Sequence, residues 1–127
     1  MKPVYLAGPI FGCDDGMASG WRRQVTTMLP AVLDPMSRDY RGQEGGNEAE
    51  IVRGDLADIL ACRAVLVMAI TPSWGTAMEL VYAKLLGVPV IAVVANPAKC
   101  SPWLVVHSTA RVQSLEEAVE WLNRECA

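Results

Sequence analysis

Apolar runs and helical periods alternate along this chain. Val4–Ala7, Ala64–Ile70 and Val88–Val94 are short continuous apolar runs, and shorter ones stand near Ala31–Leu33 and at Ala110–Val112. Runs without polar alternation predict strands covered on both faces. Between them, Met17, Trp21, Val25 and Met28 recur at helical spacing, which predicts a helix stopped by Pro30. Asn47 is the expected N-cap of a second helix running to about Ala61, with Glu48 and Glu50 in a first turn that suits the helix dipole. A third helix is expected from about Gly75 to Leu86, ended by Gly87. Ser101 and Pro102 predict a short helix, and Ser114 with Glu117 forms a capping box for the last one. Pro35 to Gly46 breaks the pattern as a long polar loop, a kind of segment that often carries function.

Strands alternating with helices predict an α/β domain with a mainly parallel five-stranded sheet. No repeat or interdomain linker interrupts it, so residues 1–127 are expected to form one domain. Hydrophobic residues make up 52% and charged residues 20% of the chain, a balance that excludes disorder and predicts a filled core. The net charge of -3 argues against a nucleic-acid partner, which needs a basic surface. No apolar run reaches the ~18 residues that span a bilayer, and the amino terminus lacks the pattern of a signal peptide. A soluble, cytoplasmic protein is expected. Cys13, Cys62, Cys100 and Cys126 are widely separated, and His107 is the only histidine. That spacing predicts free thiols and no metal site.

In an open parallel sheet, ligands bind beyond the carboxyl ends of the strands. Here the first strand runs into Gly8-Pro9-Ile10-Phe11-Gly12, and the third into Ser73-Trp74-Gly75-Thr76 at a helix start. Such turns aim backbone N–H groups, including that of Gly75, at anions. Glu79 follows one turn later. Its helix-surface neighbours are Gly75, Thr76, Tyr82, Ala83 and Leu86, none of them charged. A carboxylate among such residues is costly to bury without a purpose. Asp55 falls between Ile51 and Ile59, where the inner face of its helix calls for an apolar residue, while Asp58 belongs to the edge of that face and is expected to be solvated. Tyr5, in the first strand, is placed to reach a polar site at the sheet's edge with its hydroxyl. Two carboxylates and a tyrosine hydroxyl around a pocket suit glycosidic-bond chemistry, among other reactions.

Several segments resemble the nucleoside 2-deoxyribosyltransferases and their relatives. They are Tyr5-Leu6-Ala7-Gly8-Pro9-Ile10-Phe11, Asp55-Leu56-Ala57-Asp58-Ile59, Ser73-Trp74-Gly75-Thr76-Ala77-Met78-Glu79, Tyr82-Ala83-Lys84 and Gly87-Val88-Pro89-Val90-Ile91. The resemblance implies a flavodoxin-like (Rossmann-like) α/β fold and a homo-oligomer whose sites are completed by a neighbouring subunit. It implies that Glu79 is the nucleophile attacking C1′, that Tyr5 holds its carboxylate, and that Asp55 manages the proton of the base. Gly8 and Ile10 would line the sugar pocket and Phe11 would stack on the base. The implied partners are a nucleoside or nucleotide and a free nucleobase, with no cofactor. Trp74, Trp103 and Met78 are the expected interface residues, because aromatics and Met are enriched at such contacts.

One position departs from the transferase pattern. Transferases of free nucleosides typically carry Asp six residues before the nucleophile; here it is Ser73. The related N-glycosidases of nucleoside 5′-monophosphates carry Ser there, and a hydroxyl can donate to a phosphate that a carboxylate would repel. Those hydrolases often have Arg where Phe11 stands, which points back to transfer. Arg38 and Arg41 are candidates for phosphate contacts, and so is Ser101, from the same or a neighbouring subunit. Deoxyribosyl transfer is therefore the first expectation and monophosphate hydrolysis the second. A non-catalytic nucleotide-binding domain is a third.

Overall fold

Residues 1–127 are described by a computed structural model. Its strands are β1 (Val4–Ala7), β2 (Val32–Leu33), β3 (Ala64–Met68), β4 (Val90–Val93) and β5 (Ala110–Val112). Its helices are α1 (Asp15–Thr26), α2 (Glu48–Ala61), α3 (Trp74–Leu85), α4 (Pro102–His107) and α5 (Leu115–Glu125), with a 3₁₀ turn at Pro35–Arg38. The strands pair in the order β2-β1-β3-β4-β5, every neighbour parallel. This is the flavodoxin-like order, in which the direction of winding reverses between β1 and β3 and leaves a crevice beyond their carboxyl ends.

The two-residue period of the strands sorts the core into two layers. Val4 and Leu6, with Leu66, Ile91 and Val93, pack against Val25 of α1 and Leu29 just beyond it, and against Ala118 and Leu122 of α5. Tyr5 and Ala7, with Val65, Val67 and Ala92, pack against Ile59 of α2 and Leu80 and Ala83 of α3. Tyr5 therefore points toward α2 and α3, the helices that carry Asp55 and Glu79. That alternation is the first reason the three groups can meet.

Several ends differ from expectation. β3 stops at Met68 because its partner β4 ends at Val93, the residue whose carbonyl accepts the last bond, from Ala69 N at 2.9 Å. β4 starts at Val90, since Pro89 has no N–H to give a ladder. Asn47 does not cap α2: its side-chain amide donates to Gln43 O at 2.6 Å, within the preceding turn. Ser114 does cap α5 and is bonded reciprocally with Glu117. Gly87, just past α3, has φ of +72°, a conformation that favours glycine. The polar loop after β2 is ordered at its start by the 3₁₀ turn, whose cap is Asp34 accepting from Met36 N at 2.9 Å.

Candidate active site

A cleft of about 160 Å³ opens at the carboxyl ends of β1 and β3, where the winding reverses. Gly8, Ile10 and Phe11 reach it from the turn after β1. Ser73, Gly75, Thr76 and Glu79 reach it from the start of α3, Asp55 from α2, and Arg38 and Arg41 from the polar loop. Phe11 stands 81% exposed at the mouth.

Glu79 is half-buried in the second turn of α3. The Tyr5 hydroxyl, fully buried on β1, donates to its Oε2. Tyr5 thus serves the crevice from an interior strand, with no part in a sheet edge, because β1 lies between β2 and β3. Burial pushes the Glu79 carboxyl up to about 7; the Tyr5 hydrogen bond opposes the rise and the charge of Asp55 adds to it. Burial, reinforced by the charges of Glu79 and Asp55, pushes the Tyr5 hydroxyl far above its ordinary range. Tyr5 therefore remains a donor at every working pH. Burial also raises Asp55, against the pull of Arg38.

Arg38 lies across α2. Its Nη2 donates to Asp58 at 2.8 Å and to Asp55 at 3.4 Å. Gly54 makes room for it: a Cβ there would stand 3.0 Å from Arg38 Nε. Asp58, expected in solvent, has a side chain only 16% exposed because it carries this ion pair. Arg41 is held by Asp39 at 2.8 Å and Asp15 at 3.3 Å. Both arginines face the cleft already neutralised by carboxylates, so neither waits there as a free phosphate ligand. Ser73 caps α3, accepting from Thr76 N at 3.5 Å, and its O–H proton stays available to a ligand.

Ser101 is not brought to this cleft. It caps α4, accepting from Trp103 N at 3.2 Å, and borders a second hollow of about 730 Å³ on the other side of α3. That groove is lined by Ile70, Trp74, Met78, Trp103, Leu104 and neighbours. Its lining contains no Asp, Glu, Lys or Arg. Thr76, Tyr40, Glu44 and Ile51 also line the cleft and were not singled out by the sequence pattern, since loop and first-turn residues have no periodicity to violate. No three His, Cys, Asp or Glu side chains converge as a metal-ligand group. No helix is long and apolar enough to cross a membrane.

The family model described as nucleoside 2-deoxyribosyltransferase matches residues 4–120. Among solved structures, a 2-deoxyribosyltransferase from the psychrotolerant bacterium Bacillus psychrosaccharolyticus superposes with a TM-score of 0.74 at 20% identity. The match covers 92% of this chain and 90% of that one. A conserved protein from Enterococcus faecalis V583 superposes with a TM-score of 0.76 at 17% identity, covering 98% of each chain. At these identities the likeness is one of fold. No curated protein matches the chain by sequence.

Proposed function

The chain belongs to the nucleoside 2-deoxyribosyltransferase family, and from that premise we propose that it cleaves the N-glycosidic bond of 2′-deoxynucleosides and passes the sugar to a second base. The hydrogen bond from Tyr5 to Glu79, made inside the cleft that also holds Asp55, is the observation that carries this reading. A Glu79 carboxylate oxygen attacks C1′ while the C1′–N bond breaks and its electron pair leaves with the base. Asp55 gives the departing base its proton. The incoming base nitrogen then attacks C1′, the ester bond to Glu79 breaks, and Asp55 takes the proton back. Burial that raises Asp55 suits a group that exchanges a proton with the base. Gly8 and Ile10 flank the sugar, Phe11 offers a ring to the base, and Gly75 turns its backbone toward the 5′ end. Residues 1–127 act as one such domain, in the cytoplasm, where the four free thiols stay reduced.

Ser73 favours a second reading, hydrolysis of nucleoside 5′-monophosphates with water as the acceptor. Its hydroxyl sits at a helix N-terminus, where a dianion is favoured. We further propose a homo-oligomer that buries the large groove. Trp74 is 85%, Trp103 75% and Met78 57% exposed there, an apolar surface that a single copy leaves in water.

Chromatography after incubation with nucleosides and 5′-monophosphates, with and without a second free base, tests the proposal. Base-exchanged nucleoside is the expected product. Free base and sugar phosphate, unaffected by added base, would instead establish the hydrolase, and no cleavage of any substrate would refute both.

A further inference from the structure

Arg22 lies on the Ala18–Arg22–Val25–Leu29 stripe of α1 and just beyond it, on the sheet face opposite Glu79, and only 1% of it is exposed. Its guanidinium makes four hydrogen bonds. Nε donates to Ala18 O at 2.8 Å, Nη1 to Leu6 O at 2.7 Å and to Asp34 Oδ1 at 3.0 Å, and Nη2 to Gly8 O at 3.0 Å. Trp21 closes on the same turn: a Cβ at Gly8 would stand 2.8 Å from its Cζ2, and its ring centroid lies 4.7 Å from Arg22 Cζ.

A buried charge at this place needs an explanation, because an apolar side chain would fill the stripe at lower cost. The partners supply one. Leu6 and Gly8 belong to the end of β1 and the turn that forms one wall of the cleft. Asp34 ends the segment after β2 and caps the 3₁₀ turn that carries Arg38 to the opposite wall. One planar fork therefore ties the two walls together, which a point-charge ammonium cannot do.

We infer that Arg22 is a positioning residue for the cleft: its guanidinium holds the Gly8 turn and the Asp34 segment as one frame and sets a fixed positive charge across the sheet from the Tyr5–Glu79 pair. The charge acts on both members, lowering the Glu79 carboxyl and the Tyr5 hydroxyl against the larger effect of burial. The other groups facing Glu79 are Tyr5 from β1, Asp55 and Asp58 from α2, and Arg38, Arg41 and Glu44 from the loop. The kinetic consequences rest on the proposed role of Glu79; the framing role does not.

Three variants of the full chain separate framing from mere stability. The Glu79 carboxyl is titrated by carbon-13 NMR, and amide exchange is read at Ile10 and Phe11. Arg22→Met should move the Glu79 titration to higher pH, since a cation is lost. Asp34→Asn should move it to lower pH, since Arg22 is left unopposed while Asn still accepts from Met36 N. Arg22→Lys should leave the titration nearly in place, yet speed amide exchange in the Gly8 turn and raise KM by roughly tenfold to a hundredfold with a smaller change in kcat. Loss of stability alone would push both titrations one way. Equal or absent shifts in Arg22→Met and Asp34→Asn, or unchanged exchange in Arg22→Lys, would overturn the inference. If Arg22→Met does not fold, the other two variants still decide it. Failure of the Glu79 reading would appear separately, as normal turnover in Glu79→Gln, while the titration and exchange results kept their meaning.

Discussion

Helix α3 divides two hollows of opposite character. On one side the cleft of about 160 Å³ gathers Glu79, Asp55 and Arg38 around a few small residues. On the other the groove of about 730 Å³ presents Trp74, Met78, Val81 and Trp103. Ser73 and Thr76, in the first turn, border both. The larger hollow has apolar area to offer and almost nothing to react with. The smaller one holds carboxylates that burial has moved from their ordinary ranges, a kind of shift that clusters at functional sites. Size marks the surface suited to a partner, and desolvated charge marks the chemistry.

The sharpest way to break this contrast is at Glu79. Glu79→Ala should lose several orders of magnitude in turnover, because the proposed attack on C1′ would lose its nucleophile. Single-turnover chromatography reads this, and near-normal turnover would return the cleft to a mere binding site. The same carboxyl also has a stability cost. Its folded value of about 7 lies above the ordinary 4.5, so the folded chain holds the extra proton between those pH values and loses stability as pH rises through them. Glu79→Gln should flatten that fall and stabilise the protein above pH 7 by something on the order of 3 kcal/mol, measured by urea unfolding. An inactive variant that is also more stable identifies a functional carboxylate; an inactive and less stable one does not.

Asp55→Asn should come next, with a loss of roughly 10²- to 10⁴-fold in rate. The deficit should shrink for substrates whose leaving group needs no proton, and an equal deficit for all substrates would assign Asp55 a structural role. Tyr5→Phe removes the hydroxyl that lowers Glu79, so the acid limb of the pH–rate profile should move to higher pH. Loss of one charge-assisted bond corresponds to about ten- to a hundredfold at neutral pH, partly recovered in alkaline buffer. A profile that keeps its shape would mean that the bond does not tune the nucleophile.

Ser73, on the border of the two hollows, distinguishes the proposed substrates. Ser73→Asp should weaken a 5′-monophosphate by about ten- to a hundredfold and be tolerated with a free nucleoside. Monophosphate turnover that survives this substitution would remove the support for hydrolysis. The smallest effect on chemistry is expected in the groove. Trp103→Glu should lower the particle mass measured by light scattering to that of the 13.7 kDa chain. An unchanged mass would mean that the groove is not where copies meet.

Glu79 and Asp55 were legible in the sequence for one reason: each puts a carboxylate where a helix's inner face should be apolar. Arg22 breaks the same rule between Ala18 and Val25, but the Met17–Trp21–Val25–Met28 stripe beside it supplies a complete apolar period that masks the break. The surroundings of Asp58 and Ser101 are set in a different way. Whether an edge carboxylate is solvated depends on a distant arginine, and whether a short helix faces one hollow or the other depends on how α4 packs on α3.

The strand and helix pattern, the parallel sheet, the single domain and the anomalous carboxylates follow from the sequence by itself, because hydrophobic periodicity and helix-end chemistry are local. Only the tertiary structure decided the rest. The strand order brings β1 beside β3, the period of β1 turns Tyr5 toward α2 and α3, and the fold closes Tyr5 onto Glu79 across 74 positions of chain. It also commits Arg38 to Asp55 and Asp58, and Arg22 to the Leu6 and Gly8 carbonyls and Asp34. Partners of buried charges are chosen by which segments the sheet sets side by side. Desolvation and Coulomb attraction act through those distances, and no spacing along the chain encodes them.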